Sequence, residues 1–452
     1  MRDAANYRAG PHGSFDILAA MPHAPHSSTT VRPGAIALLV LLLAGGCASP
    51  PPEQKLPAPP ACPPVEKPLC PAVHSPPAAP EPAPVPAPLP EVEYRGRLQP
   101  ASWTELPDWG REPLRESLVA FARGCTELAK QPAWQASCAT ATALPSGATE
   151  RDIAAFFERQ FDPHLVVNAD ETTSGMVTGY YEPLLRGSRT RTSQFRHPVY
   201  GVPQDLLEID LTGVYPDLKY KRLRGRVEGN RIVPYFSRAE IESAPAPLKG
   251  LEIAWVDDAV ELFFLHIQGS GQIQLPGGDF LRVGYADQNG HPFRSVARLL
   301  IQRGELPAER TTMQGIKDWA RRHPGKVQRF MNANPSYVFF KVLPSDLAGP
   351  IGSLGVPLTA ERSIAVNPRV IPLGVPVFLA TTWPATARAL NRLMVAQDTG
   401  GAINGGVRAD FYWGFGEAAG SQAGRMKQSG RMWVLLPKGY TPPATVPGGT
   451  PP

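Results

Sequence analysis

The distribution of proline divides this chain before any other feature does. The 452 residues include 53 prolines, which concentrate between Pro50 and Pro90. That stretch is rich in proline and alanine, has few aromatic residues and carries only scattered charges, so it cannot form a packed core. We therefore expect residues 48–92 to be a disordered, extended tether and folded sequence to begin near Glu93. Residues 441–452 have a similar composition and are predicted to be a disordered tail.

The N-terminus has the pattern of an export signal. A basic residue precedes a short apolar run, and small residues then lead to Cys47, which gives a predicted signal over residues 1–47. The run is shorter than the roughly 20 apolar residues that a comfortable membrane span needs. The sequence before Cys47 resembles a bacterial lipobox, which predicts lipidation of this cysteine. Ala48 and Ser49 follow, where an aspartate would signal retention at the inner membrane, so we expect an anchor on the periplasmic face of the outer membrane. The alternative is an ordinary secretory signal cut near Ala48.

The net charge limits the class of binding partner, and the cysteines limit the possible disulfides and metal sites. A net charge of +5 argues against a dedicated nucleic-acid binder and suits an acidic or uncharged polymer. Four cysteines follow Cys47, an even number that permits disulfides in an exported chain. Cys125 and Cys138 flank a loop in one helical region and are predicted to pair, whereas Cys62 and Cys70 could pair with each other or stay free. The sequence contains no spacing of cysteine or histidine that predicts a metal site.

Two carboxylates stand among glycines and aromatic residues near the C-terminus. Asp398 follows an apolar run suited to a buried strand, and Asp410 begins a second short strand twelve residues later. A turn between two neighbouring strands could bring both carboxylates to one edge of a sheet or barrel. Two carboxyl groups beside one apolar wall titrate unequally, which leaves one of them able to act as a general acid. The alternative is that Asp398 caps a turn and Asp410 is a solvated residue at a strand end.

The residues around these carboxylates favour a polymer substrate. Aromatic rings supply flat surfaces on which sugars stack, and glycines let a polymer approach the backbone. Tyr180 and Tyr181 are candidates for one wall of a sugar groove, although periodicity alone favours strand residues that are half buried on each face. The predicted substrate-binding residues are Tyr180, Tyr181, Gln397, Gly400, Gly401, Tyr412 and Trp413.

The periodicity outlines the remaining elements. Helical spacing predicts helices over residues 113–128, 295–302 and 312–322, and the sequence from Thr149 to Asp152 has the pattern of a capped helix start. Residues 254–286 alternate and predict a meander of antiparallel strands with glycine at the bends. Residues 338–436 are rich in short apolar runs broken by proline, as expected of a compact barrel.

Several of these segments together resemble one known family, the membrane-bound lytic murein transglycosylase A family. The resemblance runs from roughly Ala120 to Pro437 and rests on several motifs that occur in order. They are Gly179–Pro183, His266–Gly271, Gly284–Arg294, Asp398–Ile403 and Asp410–Gly414.

This resemblance implies a mainly β fold with peripheral helices. It predicts a double-psi β-barrel domain made from residues 93–189 and 336–440, with a smaller β domain inserted at residues 190–335. A groove between the two domains would hold a glycan strand.

The resemblance also implies the chemistry. Asp410 would be the single catalytic aspartate, and Asp398 would orient it or raise its pKa. The expected reaction cleaves the bond from N-acetylmuramic acid (MurNAc) to N-acetylglucosamine (GlcNAc) in peptidoglycan and forms a 1,6-anhydromuramic end. Neither a metal nor an organic cofactor is expected. The expected partners are peptidoglycan glycan strands and a lipid anchor in the membrane, with cell-wall synthesis or division proteins as further candidates and no nucleic acid.

Two other readings of the sequence remain. Asp398, Thr399 and Gly400 form the tripeptide that carries the catalytic carboxylate of aspartic proteases, but the chain has no second such tripeptide to face it. A peptidoglycan-binding lipoprotein of the double-psi barrel type, without catalytic activity, is the other alternative.

Overall fold

The computed structural model describes residues 96–440, except 216–217, 219–220, 244–246 and Ala402. The export signal with Cys47, the tether at residues 48–92 and the tail at residues 441–452 lie outside the described residues, as do Cys62 and Cys70. None of the helices within the described ranges is both long enough and apolar enough to cross a membrane.

The described part of the chain contains both helices and strands. The helices are α1 (Arg115–Leu128), α2 (Pro132–Ala143), α3 (Glu150–Gln160), α4 (Arg238–Ile241), α5 (Ala259–Gln268), α6 (Val296–Gln302), α7 (Met313–Arg322), α8 (Pro324–Met331) and α9 (Gly416–Arg425). The strands are β1 (Arg97–Pro100), β2 (Phe161–Val167), β3 (Gly175–Glu182), β4 (Leu184–Ser188), β5 (His197–Tyr200), β6 (Leu207–Glu208), β7 (Arg224–Glu228), β8 (Arg231–Pro234), β9 (Glu252–Val256), β10 (Ser270–Gln274), β11 (Phe280–Gln288), β12 (Val338–Leu343), β13 (Ser363–Val366), β14 (Pro376–Thr382), β15 (Ala389–Asp398), β16 (Ala409–Phe415) and β17 (Lys427–Pro437).

The first sheet is built from the two ends of the described chain. Its strand order is β1-β2-β17-β14-β15-β13-β16-β3, and β3 also pairs with β17. The strands from β17 round to β3 therefore form a closed ring of six. Because α1 packs against β15 and α9 against β3, some strands are covered on their outer face as well. This explains the nearly continuous burial of β14 and of the second half of β15.

The second sheet lies wholly within the chain between β3 and β13. Its order is β12-β11-β10-β4-β9-β5, and a separate three-stranded sheet contains β6, β7 and β8. Leu184 of β4 pairs with Gln272, and Lys341 of β12 pairs with Gly284. The first and last strands of the insertion along the chain, β4 and β12, therefore both belong to this sheet. This sheet runs from Leu184 to Leu343, which is several residues beyond the predicted bounds of the insertion at 190 and 335.

The insertion also contains more helix than the sequence predicts. Residues 259–268 of the expected antiparallel meander form α5. The Asp258 side chain accepts from the backbone N–H of Val260 and Glu261, and Gly269 ends the helix with φ of 79°. Helices α6 to α8 contribute a core of their own with α5, which includes Trp319. The inserted domain is thus a mixed α and β unit rather than a β unit.

The helices that precede the first sheet's ring, and two helices of the insertion, follow the predicted pattern. Helix α3 starts at Thr149, whose side chain accepts from the backbone N–H of Asp152, while the Asp152 carboxylate accepts from Thr149 in return. The predicted helices at 295–302 and 312–322 are confirmed as α6 and α7. Cys125 of α1 and Cys138 of α2 form a disulfide with Cα atoms 5.5 Å apart, which links these two helices.

Candidate active site

The two aspartates flank one residue of a central strand. Ala365 of β13 pairs with Asp398 on the parallel strand β15 and with Asp410 on the antiparallel strand β16. The backbones of the two aspartates are thus about two strand spacings, or roughly 10 Å, apart. The sequence predicted two neighbouring strands joined at a shared edge. That prediction is wrong, because β13 lies between them; the ring nevertheless brings both residues to one region.

Asp398 is held in place by several donors. Its Oδ1 accepts from the backbone N–H and the hydroxyl of Ser353, both at 2.9 Å, and from the backbone N–H of Thr399 at 2.9 Å. Its Oδ2 accepts from the hydroxyl of Tyr180 at 3.1 Å. Burial raises the pKa of Asp398, and these hydrogen bonds oppose the rise. The carboxyl group therefore has a fixed orientation, and its ionised form has donors on both oxygens.

Asp410 has a poorer set of partners. Its side chain is 24% exposed and lies 3.2 Å from the guanidinium of Arg408. That guanidinium also donates to the backbone carbonyl of Ala409 at 2.6 Å. Burial raises the pKa of Asp410, the charge of Arg408 lowers it, and the charge of Asp398 raises it further. Asp410 is thus the aspartate of the pair with few donors and partial access to solvent, as a proton donor requires.

Tyr180 and Tyr412 form an aromatic pair beside the aspartates. They are register partners on the parallel strands β3 and β16, and their ring centroids are 5.2 Å apart. Tyr180 is half-buried and Tyr412 is buried. Burial raises the pKa of both phenols, so both hydroxyls stay protonated and able to donate.

Gln397 faces away from this site, contrary to the prediction. Its side chain is completely buried; Nε2 donates to the carbonyl of Ala120 at 2.9 Å, and Oε1 accepts from the hydroxyl of Ser363 at 2.5 Å. Successive residues of a strand point to opposite faces, so Gln397 and Asp398 cannot share one. The amide of Gln397 instead joins β15 to α1 and β13.

Tyr181 and Trp413 are also core residues rather than surface ones. The hydroxyl of Tyr181 contacts the sulfur of Met313 at 3.3 Å, and Nε1 of Trp413 contacts the sulfur of Met426 at 3.3 Å. Tyr181 follows Tyr180 and Trp413 follows Tyr412, and adjacent residues of a strand lie on opposite faces. Gly179 makes room for Trp413, because an added Cβ would lie 2.7 Å from its Nε1. The structure therefore buries both of these aromatic side chains, and their binding roles stay predictions.

Gly400 and Gly401 follow Asp398 in the loop before β16. Gly401 is exposed, and a Cβ added there would meet no atom within 4 Å. Gly400 is half-buried beside Ile403. The backbone at Gly401 is therefore open to a ligand.

Sequence reasoning missed two direct partners of the aspartates. Ser353 lies in the segment between β12 and β13, 45 residues before Asp398, and no periodicity or motif marks it. Arg408 lies only two residues before Asp410, so a basic residue at this spacing was a usable signal.

Sequence reasoning also missed a buried ion pair where the two sheets meet. Glu182, the last residue of β3, is 1% exposed; its Oε1 lies 3.1 Å from Nε of Arg282 on β11, and its Oε2 accepts from Gln272 on β10 at 3.2 Å. Burial raises the pKa of Glu182, and Arg282 lowers it. Arg282 also donates to the carbonyl of Leu347, in the segment that carries Ser353. This cluster ties the insertion both to the ring and to the segment that holds Asp398.

Comparisons with known proteins agree with this architecture. Residues 176–341 match the MltA specific insert domain, and residues 362–436 match the 3D domain. Membrane-bound lytic murein transglycosylase A of Escherichia coli strain K12 is 34% identical over 286 residues, which are 61% of this chain and 70% of that protein.

Two solved structures extend the likeness to the fold. The crystal structure of MltA from Neisseria gonorrhoeae has a TM-score of 0.67 and 38% identity, and the match covers 77% of this chain and 94% of that one. The crystal structure of E. coli MltA with bound chitohexaose has a TM-score of 0.56 and 29% identity, with 75% and 95% of the two chains covered. The matches to the two family domains include most of β3 and the segment that contains both aspartates.

Proposed function

Because this chain belongs to the membrane-bound lytic murein transglycosylase A family and is therefore a lytic transglycosylase, we propose that it cleaves the β-1,4 bond from MurNAc to GlcNAc in peptidoglycan. We propose further that the product carries a 1,6-anhydromuramic end. The observation that carries the proposal is the contrast between a firmly hydrogen-bonded Asp398 and a partly exposed Asp410 whose pKa is raised. The crystal structure of the E. coli relative with chitohexaose supports a glycan as ligand.

In the proposed mechanism Asp410 acts first as an acid and then as a base. Its carboxyl proton passes to the glycosidic oxygen as the bond from that oxygen to C1 of MurNAc breaks. The C6 hydroxyl of the same sugar then bonds to C1, and its proton returns to Asp410. No water is consumed and the carboxyl group regains its proton, so the two-carboxylate scheme of glycoside hydrolysis is not needed.

Asp398 acts through Asp410 in this proposal. Its charge favours the protonated form of Asp410, and its own hydrogen bonds keep that charge in a fixed place. Tyr180 links Asp398 to the proposed substrate-binding surface. Its hydroxyl donates to Asp398, and its ring lies against Tyr412.

We assign the closed ring of six strands as a double-psi β-barrel that forms the catalytic domain. The insertion from Leu184 to Leu343 then forms the second domain, and a glycan strand would run in a groove between them. The contact of Glu182 with Arg282 supports a fixed relation between these two units. Tyr180, Tyr412, Gly400 and Gly401 are the predicted substrate-binding residues that this assignment retains.

We also propose that Cys47 carries a lipid and anchors the enzyme to the periplasmic face of the outer membrane. The support is the lipobox-like sequence together with the membrane-bound relatives. Cell-wall synthesis or division proteins are candidate partners at that location.

The test is mass spectrometry of the soluble products released from purified sacculi by the enzyme and by its Asp410→Asn variant. Anhydro-ended muropeptides from the parent enzyme alone support the reaction and the role of Asp410. Reducing-ended products would mean that water is the nucleophile. Binding to sacculi without any product would instead favour the binding lipoprotein.

A further inference from the structure

A cavity of about 390 Å³ lies at the start of the folded chain, away from the aspartates. Its lining residues are Trp103, Thr104, Leu106, Asp108, Trp109 and Arg111. The Asp108 carboxylate accepts from the side-chain amide of Asn391 on β15 at 3.0 Å. Asn391 precedes Asp398 by seven residues of the same strand, which corresponds to about 23 Å. The cavity is therefore distinct from the catalytic region.

Two tryptophans in contact, with their ring planes tilted by 43°, form the floor of this cavity. Trp109 is fixed because its Nε1 donates to Glu158 at 2.9 Å and its ring packs edge-on against Phe157 and Phe378. The ring of Trp103 rests on Trp109 with centroids 4.6 Å apart and remains half-buried. The result is a rigid, partly exposed aromatic surface.

The rim of the cavity carries both acceptors and donors. The Asp108 carboxylate lies 3.1 Å from the guanidinium of Arg111, whose side chain is 82% exposed. Thr104 adds an exposed hydroxyl group. An aromatic floor with a mixed polar rim suits a sugar, whose ring faces are apolar and whose edge carries hydroxyl and acetamido groups.

The segment that carries these side chains is ordered by its own hydrogen bonds. Ser102 and Glu105 form a capping box around a short 3-10 turn at Trp103–Glu105. The backbone N–H of Trp109 then donates to the carbonyl of Leu106 at 3.3 Å. A site organised before binding loses less free energy when a ligand orders it.

We propose that this cavity is a second, non-catalytic binding site for an N-acetylhexosamine unit of the wall polymer. The inference rests on the proposed function for its choice of ligand. The site would hold the enzyme on an insoluble glycan while the aspartates act elsewhere on the same material. The proline-rich tether is the rival occupant, because aromatic grooves also bind polyproline helices. A charged rim with Asp108 and Arg111 favours the sugar, since a polyproline helix offers a mainly apolar surface.

The test uses the full chain with Asp410→Asn, so that no turnover occurs, and with 5-fluorotryptophan at all tryptophans. Trp103→Phe assigns the Trp103 fluorine resonance. We expect chitotetraose to shift this resonance in a saturable way and a synthetic peptide of residues 50–60 to leave it in place. The proposal is overturned if the sugar does not shift the Trp103 resonance, or if the peptide shifts it instead.

Retention on purified sacculi provides the second readout. Trp103→Ala should weaken retention by about 2- to 13-fold, the range expected for one aromatic contact, and Trp103→Phe should restore most of it. The matched control is Trp383→Ala, which removes another half-buried tryptophan that does not line the cavity. Equal retention of Trp103→Ala and its parent would contradict the proposal. Failure of the parent enzyme to make anhydro products, with sugar binding at Trp103 intact, would refute the proposed function alone.

Discussion

Replacing Asp398 by asparagine tests the division of roles between the two aspartates. Ala365 pairs with both residues, so their backbones are about 10 Å apart, and we take this distance as the separation of their charges. Two unit charges at that distance repel each other by about 0.8 to 1.7 kcal/mol when the effective dielectric constant is about 40 to 20. Without the charge of Asp398, the protonated fraction of Asp410 falls by about 4- to 17-fold at a pH where this carboxyl group is largely ionised.

The sign of the pH effect follows directly. Asp398→Asn lowers the pKa of Asp410, so the alkaline limb of the activity profile moves to lower pH, while activity at acidic pH is largely kept. The asparagine retains one carbonyl oxygen that can accept from Ser353, which limits the change of geometry. Asp410→Asn removes the proton donor itself and lowers the rate by about 10²- to 10⁴-fold at every pH.

The assay is the rate of anhydro-muropeptide release from sacculi, measured by mass spectrometry over a series of pH values for the parent and both variants. Asp210→Asn, which removes an exposed carboxylate of the insertion, is the matched control and should leave the profile in place. Equal losses in Asp398→Asn and Asp410→Asn at all pH values would refute the division of roles. So would an alkaline limb that stays in place when Asp398 loses its charge.

Three further substitutions test other parts of the site. Arg408→Gln removes the charge that lowers the pKa of Asp410, so the alkaline limb should move to higher pH in the same assay. Gln397→Leu removes a buried amide and should lower the free energy of unfolding in urea by about 1 to 3 kcal/mol, with the shape of the pH profile unchanged. Burial raises the pKa of Glu112 from 4.5 to about 7. Between these two pH values the folded state binds more protons than the unfolded state, so the protein loses about 3 kcal/mol of stability as the pH rises from 4.5 to about 7. Glu112→Gln should remove that loss, which urea unfolding at acidic and mildly alkaline pH would measure.

Each of these predictions has an outcome that contradicts it. An Arg408→Gln profile that moves to lower pH would mean that Arg408 does not stabilise the ionised form of Asp410. A Gln397→Leu protein as stable as the parent would show that its two hydrogen bonds contribute little. Equal pH dependence of unfolding in Glu112→Gln and the parent would assign the acid-linked stability to another group.

The sequence predicted a role for the aspartates because their neighbours are unusual, but it could not predict which face of its strand each neighbouring residue occupies. Tyr180 and Tyr181 are adjacent, so a strand must place them on opposite sides; which of them faces the aspartates depends on what packs behind β3. Trp413 was assigned to the substrate for its aromatic ring, yet the same ring fills the core beside Met426. Composition alone does not distinguish these two uses of an aromatic residue.

Other parts of the fold depend on contacts between distant residues. Ser353 reaches Asp398 across 45 residues, and no local pattern encodes that distance. Helix α5 was missed although its signals were present, namely Asp258 before it and Gly269 after it. A short apolar run fits a buried strand or a buried helix equally well, and only these flanking residues decide between them.

The closed ring also sets the order in which this chain can fold. The pairing of Thr178 with Asp410 joins residues 232 positions apart, so the ring has a high contact order and should form late. The second sheet brings β4 and β12, the first and last strands of the insertion along the chain, within three strand spacings, about 14 Å. A folded insertion therefore replaces a long flexible loop by a short, ordered connection, which reduces the entropy lost when the ring closes. We therefore expect the inserted domain to fold first and the six-stranded ring to close afterwards.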